Sequence, residues 1–190
     1  ILEVDLSPDT LLTVGADYQD NKPQGSTWSG SFPLYNYAGE INSAKRSFSN
    51  ATDWSSWQQY TRTVFATLEQ DLGSGWVGKL QLDHKLNGYD AQLGAIQFNQ
   101  PAADGTAKIN AQRYKGETTS DAADLYVSGP YEFLGREHQL VLGGSISTAN
   151  WKGKGYWDVT FATPNIVDYF NWNGHLAKPD WGNASQISDD

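Results

Sequence analysis

The stretch LLTVGADY, residues 11–18, decides the fold of this chain because apolar and polar side chains alternate along it. A period of two residues is typical of a β-strand whose two faces meet different surroundings. The same alternation recurs in residues 76–85, 124–128 and 139–146, so we expect an all-β protein. In the first stretch, Leu12, Val14, Ala16 and Tyr18 share the apolar face, and Leu11, Thr13, Gly15 and Asp17 share the other.

Short turns separate these stretches at nearly equal intervals. They lie at residues 7–10, 71–75 and 134–137, and each pair of turns encloses strand, long loop, strand. An antiparallel meander with short connections on one rim and long ones on the other is typical of a transmembrane β-barrel. The sequence therefore predicts that the apolar faces of the strands point outward to lipid.

Six strands follow from this pattern, at residues 1–6, 11–20, 57–70, 76–89, 112–133 and 138–147. Three connections are long, at about 21–56, 90–111 and 148–190, and they are rich in Gly, Asn, Ser, Pro and aromatic residues. Loops of this length are uncommon in compact soluble domains unless they are functional or disordered. In a barrel they would form the extracellular surface that meets a ligand.

Composition supports the membrane interpretation and excludes other classes. Hydrophobic residues make up only 38% of the 190 residues, whereas aromatic residues reach 13%, with 8 Trp and 10 Tyr. No window holds the roughly 20 consecutive apolar residues that a membrane helix needs. A net charge of −9 would repel phosphate backbones, which argues against a nucleic-acid partner. Cysteine is absent, so neither disulfides nor thiolate metal sites can form.

No motif supports an enzyme. Residues 73–78, GSGWVG, satisfy a dinucleotide-binding pattern, but that pattern requires a following helix and an alternating strand follows here. His84, His138 and His175 are far apart in sequence and lack metal-ligand spacing. We therefore expect no catalytic residues and no metal site.

Aromatic residues in or beside the long loops are the candidate ligand contacts. Rings next to strand ends are equally well explained as an interfacial girdle at headgroup depth. Rings inside the loops offer flat stacking surfaces at low entropic cost, which suits a planar ligand. The predicted ligand-facing set is Trp28, Tyr35, Tyr37, Trp54, Trp57 and Tyr89.

A secreted carbohydrate-binding β-sandwich is the alternative, since exposed Trp and Tyr residues also stack on sugars. The two folds differ in where the apolar faces point. A sandwich buries them against a second sheet, whereas a barrel turns them to lipid.

Several runs resemble the barrel of TonB-dependent ferric-siderophore receptors, nearest to those for pyoverdine, coprogen and related hydroxamates. The similarity spans nearly the whole chain and thins in the loops. The runs are SPDTLLTVGADYQ (7–19), TVFATLE (63–69), DLYVSGPYEFLGREH (124–138), TPNIVDY (163–169) and PDW (179–181).

The resemblance implies a 22-stranded outer-membrane barrel closed by an N-terminal plug. Residues 1–190 would be a middle segment of that barrel, with the plug domain absent. It implies uptake of a ferric siderophore driven through TonB, by parts of the receptor outside this chain. Iron would arrive wrapped by its chelator, so no cofactor is expected. Outer-membrane lipid would surround the barrel, and bacteriocins and phages exploit the loops of such receptors.

Overall fold

The computed structural model describes residues 1–28, 34–42, 45–96 and 101–189. Its strands are β1 Leu2–Ser7, β2 Thr10–Asn21, β3 Ser56–Gly73, β4 Trp76–Ile96, β5 Thr106–Phe133, β6 Arg136–Thr160, β7 Ile166–Asp168 and β8 Asp180–Asp189. They form one antiparallel sheet in the order β1-β2-β3-β4-β5-β6-β8, with β7 paired to β5. Within these ranges, no helix is long and apolar enough to cross a membrane. The predicted all-β antiparallel meander is confirmed.

The register collects the apolar side chains on one face of the sheet. Leu12, Leu68, Leu80 and Leu125 lie opposite one another across β2 to β5. Because side chains alternate along strands, every second row belongs to this side, which we call the apolar face. The opposite side, called the polar face, carries the row Thr13, Thr67, Gln81, Asp124 and Ser145. The ion pair between Lys79 Nζ and Glu69 Oε1, at 2.7 Å, also lies there.

No second sheet covers the apolar face in the described part of the chain. Leu125 is 62% exposed and Leu142 is 57% exposed. A sandwich would bury both, so the carbohydrate-binding β-sandwich is not supported. A face of this kind is stable when it meets lipid, as the barrel prediction requires.

Tight turns set the register at one end of the sheet, which we call the turn end. The turn between β5 and β6 consists of Leu134 and Gly135, with φ angles of 52° and 73°. Two central residues with positive φ are typical of the hairpin turn whose twist matches that of the flanking strands. Gly suits this conformation, whereas Leu adopts it at a steric cost.

Strands extend farther toward the other end, the loop end, than the sequence predicts. Segments 90–96, 106–111, 148–160 and 180–189 of the predicted loops are strand, and eight strands replace the predicted six. The alternation lapses near the tip of the β4–β5 hairpin because both faces are covered there. Leu93 and Ile96, on opposite faces of β4, are at most 1% exposed. In β6, glycines and a bulge obscure the pattern.

A small core lies at the loop end on the apolar-face side. Ile96, Ala107, Ile109 and Tyr169 form its buried centre. Phe48, Val167 and Trp172 are among the half-buried side chains that pack around it. Segments 45–55 and 161–179 thereby pack against the loop-end part of the β4–β5 hairpin.

Candidate ligand-binding site

Aromatic side chains cover the polar face near the loop end. Trp57 lies opposite Ala91, and Tyr89 lies opposite Gly116, with both side chains in phase with the polar rows below. Polar-face side chains would line the inside of a closed barrel. We call this surface the aromatic wall; it consists of Trp28, Trp57, Tyr89, Tyr114, Trp151 and Tyr156.

Tyr114 of β5 lies at the centre of the aromatic wall. Its hydroxyl accepts a hydrogen bond from Trp28 Nε1 at 3.1 Å, which ties the start of the first long loop to the sheet. Its ring meets Tyr156 edge-on, with the centroids 5.8 Å apart and the planes at 80°. Edge-to-face pairs contribute about 0.5–1.5 kcal/mol beyond the area they bury. Tyr114 thus joins three segments distant in sequence.

A missing side chain on β5 makes room for Tyr89. A Cβ atom added to Gly116 would lie 2.7 Å from Cζ of the Tyr89 ring. The Tyr89 ring therefore occupies the space that a side chain at position 116 would fill, as aromatic residues do beside glycines in sheets. This contact fixes the position of Tyr89 without a hydrogen bond.

A local reversal in β6 places Tyr156 on the aromatic wall. Its φ of 50° lies in the left-handed region. Gly155 and Tyr156 both lie beside Tyr114, whereas the next residue, Trp157, lies under the guanidinium of Arg113 at 4.8 Å. The left-handed conformation at Tyr156 thus turns its side chain to the side of Gly155, just before the irregularity in pairing with β8 between Trp157 and Val159. Irregularities of this kind often redirect a side chain at a functional site.

Four of the six predicted ligand-facing residues lie close to the sheet, three on its polar face and one on its apolar face. Trp28 and Trp57 lie in the aromatic wall with Tyr89. Trp54 lies on the other side of the sheet, against Gly94, where its Nε1 donates to the carbonyl of Leu176 at 2.9 Å. Its ring also meets Trp181 edge-on at 6.2 Å. Trp54 therefore packs between loops and is turned away from the aromatic wall.

Tyr35 and Tyr37 lie in the exposed segment 34–42. Tyr35 is 44% exposed and Tyr37 is 68% exposed. The backbone N–H of Tyr37 donates to the carbonyl of Pro101 at 3.2 Å, which places this segment beside the tip of the β4–β5 hairpin. Both rings are accessible from outside but do not join the aromatic wall.

Hydrogen bonds join the first long loop to the segment after β6. The N–H of Asp53 donates to the carbonyl of Gly174 at 2.8 Å, and the Asp53 carboxylate pairs with His175 Nδ1 at 2.9 Å. Farther along, the side-chain amide of Asn171 donates to Asp168 at 2.6 Å and lowers the pKa of that carboxyl below its ordinary value. These bonds hold the loops on the apolar-face side, away from the aromatic wall.

The predicted ligand-facing set did not include Tyr114, Trp151 and Tyr156, which the structure places in the aromatic wall. Tyr114 could have been found, because it is in phase with Ala122 and Asp124 on the polar face of β5. Trp151 could not be assigned to a face without knowing that β6 continues past residue 147. Tyr156 could not be assigned either, because its position depends on a left-handed backbone conformation that only the structure reveals.

The wall offers stacking surfaces and hydroxyl groups. Across the described ranges, no group of three or more His, Cys, Asp or Glu side chains could hold a metal ion. Flat rings with Tyr hydroxyls at their edges suit a large ligand that presents a planar group and hydrogen-bonding atoms.

Comparison with known proteins agrees with this geometry. No family model matches the sequence. The chain is 59% identical over all 190 residues to the ferripyoverdine receptor of Pseudomonas aeruginosa, of which it spans 23%.

Solved structures give the same result. A crystal structure of the outer-membrane ferripyoverdine receptor of Pseudomonas aeruginosa bound to ferripyoverdine is 58% identical, with a TM-score of 0.93 over 98% of this chain and 25% of that one. The complex of FpvAI with pyocin S2 matches at 58% identity and a TM-score of 0.92, with the same coverage.

The chain thus spans about a quarter of the length of the relatives that it matches. The predicted family is confirmed, and so is the barrel fold. This chain is a homologue of the ferripyoverdine receptor, a TonB-dependent siderophore receptor, and it corresponds to a segment of the β-barrel of that family.

Proposed function

We propose that this chain forms part of the wall of a bacterial outer-membrane receptor that takes up a ferric siderophore of the pyoverdine type. The observation that carries the proposal is the aromatic wall, which lies on the polar face of the sheet. That face lines the inside of the barrel, where a ligand would pass. Relatives and solved neighbours named for ferripyoverdine support the choice of ligand.

Transport, and no catalytic step, is the activity proposed. Iron is the cargo, and it would reach the aromatic wall already enclosed by its chelator. The rings would then contact the organic surface of the complex, for which stacking and hydrogen bonding suffice. Uptake would draw its energy through TonB, by parts of the receptor outside this chain.

A bacteriocin is a second proposed partner. The neighbour solved with pyocin S2 is 58% identical to this chain over the matched region, which is 25% of that neighbour's length. Exposed loop residues such as Tyr37 would meet a protein partner first, since they lie at the outer end of the sheet.

The test uses the complete receptor that contains this segment. Trp57→Ala should weaken binding of the ferric siderophore by about 1 kcal/mol or more, or about fivefold, because a flat contact is lost. Trp28→Ala should act in the same direction. Equilibrium binding of iron-55-labelled ferripyoverdine measures both.

Tyr18→Ala is the matched control. Tyr18 is a large aromatic residue, 61% exposed, on the apolar face of the same sheet. Its replacement should leave ferripyoverdine affinity unchanged. If Trp57→Ala and Trp28→Ala also bind normally, the aromatic wall does not contact the ligand and the proposal fails.

A further inference from the structure

Asparagine followed by glycine occurs twice in the sequence, at Asn87–Gly88 and at Asn173–Gly174. Asparagine is thermolabile in proteins because the backbone nitrogen of the next residue can attack its side-chain amide carbon. Glycine in that next position has no Cβ atom to obstruct the approach. The two pairs lie in different surroundings: Asn173 is exposed in the segment between β7 and β8, whereas Asn87 lies within β4.

The turn at Asn173 directs its side-chain amide carbon toward the backbone of Gly174. The N–H of His175 donates to Asn173 Oδ1 at 2.9 Å, which folds the side chain back along its own main chain. The same hydrogen bond stabilises the negative charge that develops on Oδ1 when the amide carbon is attacked. The geometry therefore brings together the carbon that is attacked and the nitrogen that attacks it.

The backbone nitrogen of Gly174 is available for this attack. Among the described residues, its N–H has no hydrogen-bond acceptor. Gly174 has a φ of 87°, a conformation that glycine adopts at little steric cost. The fold thus keeps the reactive pair in a turn, with its nitrogen outside any backbone ladder.

The sheet protects the other asparagine–glycine pair. Asn87 lies opposite Thr61, and Thr61 Oγ1 donates to Asn87 Oδ1 at 2.9 Å, which holds the side chain across the neighbouring strand. Gly88 is buried and pairs with strands on both sides, and the Tyr60 ring packs against it. Attack at this position would require β4 to open first.

An aspartate in a similar turn lacks the other two requirements. Asp104 Oδ1 accepts from the N–H of Thr106 at 2.9 Å, as Asn173 Oδ1 does from the second residue after it. The N–H of Gly105, however, donates to the carbonyl of Ala102 at 2.9 Å, so this nitrogen is occupied. The hydrogen bond from Thr106 also lowers the pKa of the Asp104 carboxyl, and the resulting carboxylate is a poor electrophile. Of these three positions, only Asn173 combines the turn, a free nitrogen and a neutral amide.

We propose that Asn173 is a site of spontaneous deamidation in the receptor. The Gly174 nitrogen forms a bond to Cγ of Asn173, the bond from Cγ to Nδ2 breaks, and ammonia leaves with the proton of the Gly174 N–H. Water then opens the resulting cyclic imide. Cleavage of the bond to Cγ gives aspartate, whereas cleavage of the bond to the main-chain carbonyl carbon gives isoaspartate, in which the chain continues through the side chain.

Deamidation alters the hydrogen bonds that join the first long loop to the segment after β6. The carbonyl of Gly174 accepts from the N–H of Asp53 at 2.8 Å, and His175 Nδ1 pairs with the Asp53 carboxylate at 2.9 Å. Isoaspartate inserts an additional carbon into the main chain directly before these contacts. Either product also adds a negative charge beside the residue that contacts Asp53, and like charges repel. Segment 45–55 is therefore held less firmly against segment 161–179 in the modified receptor.

The test follows deamidation in the complete receptor, kept folded in neutral detergent at mildly alkaline pH. Peptide mapping by mass spectrometry detects the replacement of the amide NH₂ by a hydroxyl group as a mass gain, and chromatography separates aspartate from isoaspartate. In the folded receptor, Asn173 should react at least about tenfold faster than Asn87, because opening β4 costs free energy. In the denatured receptor this difference should disappear, since glycine follows both residues.

Two variants and a second measurement make the result specific. Asn173→Gln should abolish the mass gain at position 173, because attack on the longer side chain would have to close a larger ring. Asn87→Gln is the matched control and should leave the rate at Asn173 unchanged. Hydrogen exchange of residues 51–55 should accelerate as isoaspartate forms in the wild type, but it should stay constant during incubation of Asn173→Gln.

Three results would overturn the proposal. Equal rates at Asn173 and Asn87 in the folded receptor would mean that the turn has no role. An Asn173 that reacts only after denaturation would mean that the fold protects it. Unchanged hydrogen exchange at Asp53 after isoaspartate has formed would refute the effect on the contact between the two loops.

Discussion

Removing one hydroxyl group from the aromatic wall should release the Trp28 side chain without disturbing the sheet. Tyr114→Phe eliminates the acceptor for Trp28 Nε1, which lies 3.1 Å away. The edge-on contact with Tyr156 needs only the ring, so it should survive the substitution. The change therefore isolates a single connection between the loop and β5.

The expected size follows from the nature of the bond. A hydrogen bond between neutral groups contributes about 0.5–1.5 kcal/mol net. If Trp28 must be held in place to contact the ligand, ferripyoverdine affinity should fall by about 2- to 13-fold. Iron-55 binding to the complete receptor measures the fall.

A double-mutant cycle decides whether the hydrogen bond is the cause. Trp28→Phe removes the donor, so the double variant should be no weaker than Trp28→Phe alone. Hydrogen exchange of residues 26–28, beyond the backbone contacts of residues 23–25 with β3, should also accelerate in Tyr114→Phe. Effects that simply add, together with unchanged exchange, would refute the idea that this bond positions the loop.

Three other predictions concern the sheet and its loops. Leu80→Lys places a charge on the apolar face and should lower the free energy of unfolding by about 2–4 kcal/mol in lipid vesicles, whereas Gln81→Lys on the polar face should not. Leu134→Asn should raise that free energy by about 0.5–1 kcal/mol, because Asn tolerates a positive φ; a loss of stability would contradict this assignment. The Asp168 carboxyl has a lowered pKa, so its stabilisation of the turn at Asn171 is present above the ordinary Asp value of about 3.9 and is lost as the pH falls below it. Trp172 fluorescence should therefore change below about pH 4 in the wild type but not in Asp168→Asn.

The division of the sheet into two faces could be predicted from the sequence because a strict alternation survives between the turns. Leu12, Leu80 and Leu142 were expected to face lipid, and all three lie on the uncovered side of a single sheet. Lipid on one side and a watery interior on the other impose opposite requirements on neighbouring residues. Wherever both conditions hold, a period of two residues is sufficient to orient the strand.

The prediction weakened beyond the membrane because that contrast disappears there. From Ala91 to Ile96 the strand is covered on both faces, so its composition no longer alternates. The same loss explains why Trp54 and Trp57, only three residues apart, could not be assigned to different sides. Trp57 belongs to β3 and follows the alternation, whereas Trp54 precedes the strand and is placed by Gly94 and Leu176.

Because adjacent residues point to opposite faces, one hairpin presents two different surfaces. His84 lies on the apolar face, and Lys85 lies on the polar face. A charge is tolerated at position 85 for a different reason than at position 62: water hydrates Lys85 inside the barrel, whereas the Arg62 guanidinium lies over the rings of Tyr18 and Tyr60. If Gln81→Lys destabilised the receptor in lipid vesicles while Leu80→Lys did not, the assignment of faces itself would be reversed, and with it the location proposed for the siderophore.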